Sequence, residues 1–110
     1  MSNRIDARQF DIVAEETLLY LEKCLIELDD SLDVELSMGV LSIEFESGKK
    51  FVINSHRAAR QIWMSANATA WHFDRTGEVW IASKSREELF QLINQQMSTE
   101  LGRDVSMTSN

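Results

Sequence analysis

Cysteine is almost absent from this chain of 110 residues: Cys24 stands alone, so no internal disulfide can form. Histidine is nearly as scarce. His56 and His72 lie far apart in sequence, and with one cysteine they do not make the ligand cluster that tight zinc binding needs. Four glycines are scattered, none in a GxGxxG or GxxxxGK context, so there is no phosphate-cradling loop. No apolar run approaches the roughly 20 residues of a membrane span. The opening Met-Ser-Asn-Arg-Ile-Asp has neither the apolar stretch of a secretory signal nor the Arg-rich, acid-poor character of a transit peptide, which makes the cytoplasm the expected location. Basic stripes are missing too, and a net charge of −7 argues against nucleic acid.

Catalytic constellations are equally lacking. His56 falls in what reads as a polar loop and His72 in a strand, neither beside a nucleophile signature. Cys24 falls near the buried face of a helix and reads as a small core residue. Asp29-Asp30-Ser31-Leu32-Asp33 lacks the central Gly and terminal Glu of an EF-hand loop. A ferroxidase would need the inward Glu-x-x-His helices of a di-iron bundle, which are not there. The expectation is a protein that is not an enzyme.

What the chain does have is carboxylate, concentrated at one end. From Met1 to Glu46, twelve acidic against three basic side chains give −9; from Ser47 onward, six against eight give +2. A split this uneven builds a negative field over one region, which attracts cations and basic surfaces. Hydrophobic residues make up 44% of the chain, enough for a core, and the length suits one domain over residues 1–110.

The periodicity orders these residues. Asp6 is placed to cap a helix, with Gln9 three residues on and Ile5 able to staple onto Phe10. Phe10, Val13, Ala14, Thr17, Leu18, Leu21, Leu25 and Leu28 then keep the 3.6-residue rhythm of a buried face. Asp11, Glu15, Glu22 and Asp29 fall along one flank of its outer surface, Glu16 and Glu27 along the other. Between the flanks run Ile12, Leu19 and Ile26, seven apart, either covered by neighbouring long side chains or exposed as a partner contact.

From Ser31 the period becomes two. Leu32, Val34 and Leu36 alternate with Asp33, Glu35 and Ser37, and Leu41, Ile43 and Phe45 alternate with Ser42, Glu44 and Glu46. Phe51–Asn54, Gln61–Met64, Ala70–Asp74 and Glu78–Ala82 read as further short strands, with turn signals at Ser47-Gly48 and Gly77. A second helix is expected from Ser85, boxed by Ser85 and Glu88, to about Leu101-Gly102, followed by a loose polar tail. The expected fold class is α+β: a two-layer α-β sandwich with both helices on one face of a five- to six-stranded antiparallel sheet. The other sheet face is left to solvent. Trp63 falls there beside Gln61, either as a docking anchor or packed under a loop, whereas Trp71 and Trp80 read as core.

Glu22, Glu27, Asp29, Asp30, Asp33 and Glu35 run from the end of the first helix into the first strand. Hard cations prefer oxygen ligands, and a row without a cage would hold them weakly, through shared sites and retained water. Fe²⁺, Fe³⁺, Co²⁺, Mn²⁺ and lanthanides would all be accepted with little selectivity.

The chain resembles the bacterial frataxin family. The resemblance rests on the acidic helix ending in Glu27-Leu28-Asp29-Asp30, on Gly39-Val40-Leu41-Ser42-Ile43-Glu44-Phe45 and on Phe51-Val52-Ile53-Asn54. Gln61-Ile62-Trp63-Met64-Ser65 and His72-Phe73-Asp74-Arg75-Thr76-Gly77-Glu78-Val79-Trp80 complete it, over roughly Phe10 to Val105. It implies the same sandwich, weak iron binding on an acidic ridge, and a non-enzymatic role in iron–sulfur cluster assembly. The implied partners are a cysteine desulfurase and the scaffold protein it supplies. By position the ridge would be Glu15, Glu22, Glu27, Asp29, Asp30, Asp33 and Glu35. The partner surface would be Glu22 and Glu27 together with Asn54, Gln61 and Trp63. Lys23 and Ile26 depart from a continuous ridge. The expected state is a monomer that oligomerises, if at all, with metal.

Overall fold

The computed structural model describes residues 5–109. Helix α1 runs from Ala7 to Leu28, about 33 Å at the usual rise of 1.5 Å per residue. Asp6 caps it, its carboxylate accepting from the Gln9 N–H at 2.8 Å. Phe10, Ala14, Thr17, Leu18, Leu21 and Leu25 are buried as the periodicity requires, and Ile5, Val13 and Leu28 pack at the core margin. Thr17, the one buried polar residue among those described, is fully used. Its hydroxyl donates to the Val13 carbonyl at 2.7 Å and accepts from the Trp80 indole at 3.0 Å. That pair, with Phe10 edge-on to Trp80 at 6.0 Å, fixes how α1 lies across the sheet. Emptying the centre of this face by Leu21→Ala costs about 2–5 kcal/mol, the usual range for a buried leucine.

Six strands follow: β1 (Asp33–Ser37), β2 (Val40–Glu44), β3 (Lys50–His56), β4 (Gln61–Ala66), β5 (Thr69–Thr76) and β6 (Val79–Ala82). They pair in chain order as an antiparallel meander, the arrangement that short turns dictate. The β1–β2 turn at Met38-Gly39 has positive φ at both residues, 50° and 78°, as a two-residue hairpin prefers. Gly39 is also held by space, since a Cβ there would sit 2.7 Å from the Ser55 Oγ. Leu41, Ile43, Phe51, Ile53, Ile62, Met64, Phe73, Trp80 and Ala82 point to one face and join α1 and α2 in a single core. Helix α2 (Leu89–Leu101) buries Leu89, Phe90, Leu92, Ile93 and Met97 there. α1 lies mainly against β1 and β3, α2 against β6.

Four expectations need correction. Helix α2 starts at Leu89 and its cap is Glu88, whose carboxylate accepts from the N–H groups of Phe90 at 2.8 Å and Gln91 at 3.1 Å. A box starting at Ser85 is excluded because Ser83–Glu87 is bound into a turn on the end of β6, by Ala82 N–H to the Glu87 carbonyl and Arg86 N–H to the Ala82 carbonyl. The tail is not loose: Asn94 clamps Met107 through both its amide nitrogen and oxygen, at 2.8 and 2.9 Å. Val105 is buried, and the Tyr20 hydroxyl donates to the Thr108 carbonyl at 2.6 Å. His56 is the last residue of β3 rather than part of a loop. Trp71 and Cys24 are half-buried, at the margin of the core rather than in it. Cys24 hydrogen-bonds Tyr20, which with desolvation pushes that phenol above its ordinary pKa.

Candidate functional site

The acidic residues sit on α1 and β1, and the fold separates them. Glu15 and Glu22 lie on the flank of α1 that also carries Asp11, while Glu27 is about 140° further round the helix than Glu22. Asp29 closes α1 at its C-terminal end and Asp30 is in the turn that follows. In β1, Val34 and Leu36 pack on the core, so Asp33 and Glu35 point the other way, to the open face of the sheet. A row that is continuous in sequence is thus spread over a helix flank, a turn and the far side of an edge strand. Among the described residues no three side chains of His, Cys, Asp or Glu gather as a metal-holding group.

Asp29 has a different occupation. Ser31, through its hydroxyl and its backbone N–H, and the Arg103 guanidinium hold its carboxyl down to about 2. The Ser31 N–H lies at 2.9 Å, and Arg103 reaches both the carboxylate and the Leu28 carbonyl at 3.1 Å. Arg103 thereby ties the end of α2 to the end of α1 and satisfies a terminal carbonyl that the helix leaves open. Asp29 is first a fastening, and a cation would compete with Arg103 for it.

The strand register adds an acid that the alternation pattern did not single out. Asp33 stands directly opposite Glu44 across the β1–β2 pair, with Glu35 two residues along. Side chains opposite one another have Cβ atoms about 5 Å apart, and like charges there are destabilising. On its other side Glu44 stands opposite Lys50 across the β2–β3 pair, which offsets part of that repulsion and leaves Asp33, on the edge strand, the less compensated of the two. All these donors are carboxylate oxygens, a set suited to hard cations held through retained water rather than to a closed, selective cage.

A second arrangement occupies the open face of β3, β4 and β5. Trp63 is neither bare nor under a loop. It is stacked between two histidines: His56, with ring centroids 3.9 Å apart and planes within 12°, and His72, at 4.3 Å and 15°. The register explains it, because Asn54, Trp63 and His72 are aligned across three strands and His56 is aligned with Gln61 and Asp74 one pleat away. The indole N–H donates to the Gln61 side-chain oxygen at 2.9 Å, and the Gln61 amide donates to Asp74 at 3.0 Å. His56 is oriented in turn, its Nδ1 accepting from the Ala59 N–H at 3.2 Å, which places the proton of the neutral ring on Nε2. Asn54 donates to the neighbouring Ser55 carbonyl at 3.3 Å. The patch anticipated as Asn54, Gln61 and Trp63 is therefore one face with His56, His72 and Asp74 added. Only the alternation of His72 along β5 hinted at it.

Set beside known proteins, this arrangement has a family. The model of the frataxin-like domain matches residues 3–103. Frataxin from Psychromonas ingrahamii superposes with a TM-score of 0.87 at 21% identity, covering 96% of this chain and 100% of that one. Trimeric frataxin from the yeast Saccharomyces cerevisiae, with its full-length N-terminus, gives 0.74 at 26% identity over 83% and 80% of the two chains. A trimeric yeast frataxin complexed with ferrous iron gives 0.74 at 22% identity over 94% and 92%.

Proposed function

The chain belongs to the frataxin-like family, and from that premise we propose that it is a non-enzymatic, weak iron binder that regulates iron–sulfur cluster assembly in the cytoplasm. The observation that carries this reading is the field of carboxylates on α1 and β1, most of them outside any ion pair and spread out rather than caged. Such a surface takes up ferrous or ferric ions at low affinity and releases them readily, as an iron donor or sensor must. The yeast relative complexed with ferrous iron supports iron as the ion, and the trimeric state of two yeast relatives supports oligomers as a second behaviour.

The partners that fit are a cysteine desulfurase and its scaffold protein. Glu22 and Glu27 would steer a basic surface of the first, and the Asn54–Gln61–Trp63 face would meet the assembly machinery through a pre-oriented indole. The half-exposed strip of α1 favours a second reading, an acidic interaction module without a metal role.

Anaerobic titration with Fe²⁺, or with Co²⁺ as a redox-stable substitute, followed through backbone amide signals, separates the two. Broadening concentrated on Glu15 to Glu44 at sub-millimolar metal supports the iron reading. Broadening confined to His56 and His72, or none below millimolar metal, overturns it.

A further inference from the structure

The outermost line of α1 is apolar. Ile12, Leu19 and Ile26 are exposed by 52%, 49% and 53%. Steps of seven residues keep them within about 40° of one another around the axis, on the side opposite the buried Leu21. Among the described residues no other large apolar side chain of α1 is as exposed. Asp11, Glu15 and Glu22 border the line on one flank, with Asp11 paired to Arg57, and Glu16 and Glu27 on the other; Lys23 stands among the second group, and Arg8 continues the line one turn before Ile12. A fourth exposed apolar side chain stands close by: Met38, at the tip of the β1–β2 turn, is 99% exposed. With Leu19 and Leu36 it lines a cleft of about 390 Å³ between α1 and the sheet, whose wall also carries Asp11 and Glu15.

We propose that this crest docks an amphipathic helix of a partner protein, with apolar residues at seven-residue intervals, Lys or Arg on both sides of them, and one side chain lodged in the cleft. The charge pattern selects this occupant. A second copy of α1 laid along the crest, in either direction, would oppose carboxylates to carboxylates. An anionic lipid surface is repelled by the same flanks. In heptad terms only one of the two seam positions is apolar here; the other is filled by Glu15 and Glu22, so a matching helix must bring cations to it. From Ile12 to Ile26 the crest measures about 21 Å, the length of four turns, so the partner segment needs about fifteen residues. The β1–β2 turn beside it is tied to β3 by the Ser55 N–H, which donates to the Gly39 carbonyl at 2.9 Å. The inference holds whether or not the carboxylates take up iron.

The test uses the full chain and two synthetic 21-residue helices, one with Leu at every seventh position flanked by Lys and Arg, the other identical but with Ser for Leu. The wild-type chain is expected to bind the Leu helix at least tenfold more tightly than its Ser twin, with amide shifts along Ile12–Ile26 and at Met38. Added salt should weaken both helices but leave their ratio. The variant I12S/L19S/I26S should keep the thermal unfolding midpoint and the metal-induced broadening of the wild type and lose the preference for the Leu helix. Met38→Ser alone should lose about threefold. If the triple variant unfolds early, Leu19→Ser and the comparison between the two helices on the wild-type chain decide the matter. Equal affinity for the two helices, an unchanged preference in the variants, or shifts on the sheet face overturns the proposal. Strip-dependent self-association, or strip-dependent binding to phosphatidylcholine vesicles, equally overturns it in favour of those occupants. Loss of helix docking with metal broadening intact, or the reverse, tells the failure of this inference from failure of the iron reading.

Discussion

The two sides of this molecule handle polar groups in opposite ways. On α1 and β1 the carboxylates repel one another, and apart from Asp11, which pairs with Arg57 at 3.0 Å, and Asp29, held by Arg103, they are in no ion pair. On β3, β4 and β5 the side chains around Trp63 are committed to one another: indole to Gln61, Gln61 to Asp74, His56 to Ala59, and the three rings to each other. A loose carboxylate surface accommodates ions of varied geometry and steers partners from a distance. A locked aromatic surface meets a partner with little ordering left to do, which is where binding energy concentrates.

The sharpest way to break the comparison is to remove the indole. Trp63→Ala should weaken partner binding by about 2 kcal/mol or more, near thirtyfold, as expected of a central aromatic anchor. The loss should be the same at low and high salt in a calorimetric titration. Double reversal of Glu15 and Glu22 to Lys should reduce partner affinity by roughly tenfold at low ionic strength and much less at 0.5 M salt, where the Debye length is only a few Å. If the two variants show the same salt dependence, the division between the surfaces is wrong.

Smaller effects sharpen it. His56→Ala should cost about 0.5–1.5 kcal/mol of stability, the usual worth of an aromatic pair, and should lower the fluorescence anisotropy contributed by Trp63. On the acidic side the sign reverses: Asp33→Asn should stabilise the metal-free protein by roughly 0.2–1 kcal/mol, by removing the charge facing Glu44 while Glu44 keeps Lys50 opposite it, and should weaken cation binding at β1. The smallest effect is confined to acid. The folded-state pKa of Asp29 lies at about 2, below an unfolded value of about 3.9. Its contribution to stability is therefore complete above about pH 4 and lost as pH falls toward 2. Asp29→Asn should flatten that part of a pH–stability curve and leave the curve near neutrality parallel to the wild type.

Much of the scaffold was legible from local pattern. The Asp6 cap, the buried face from Phe10 to Leu25, the change to a two-residue period after Ser31 and the succession of short strands all reappear. So does the solvent-facing position of Trp63. The second cap was misplaced because Ser85 and Glu88 fit a box as written, while the strand-to-turn pairing around Ala82 that displaces the helix start is not local. The tail read as loose because its polar residues carry no periodicity, and what holds it is distant in sequence: Asn94, 13 residues before Met107, and Tyr20, 88 before Thr108.

The same boundary runs through the candidate sites. Sequence by itself determined which side chains are acidic, which lie on the outer flanks of α1, and that Ile12, Leu19 and Ile26 form one line, because helical phase is set within a few residues. Only the tertiary structure decided that Asp33 faces Glu44, that Asp29 is engaged by Arg103, and that His56 and His72 close on Trp63. Those facts depend on strand register and on contacts between distant segments. Register follows from how turns and a shared core settle together, and no local period encodes it.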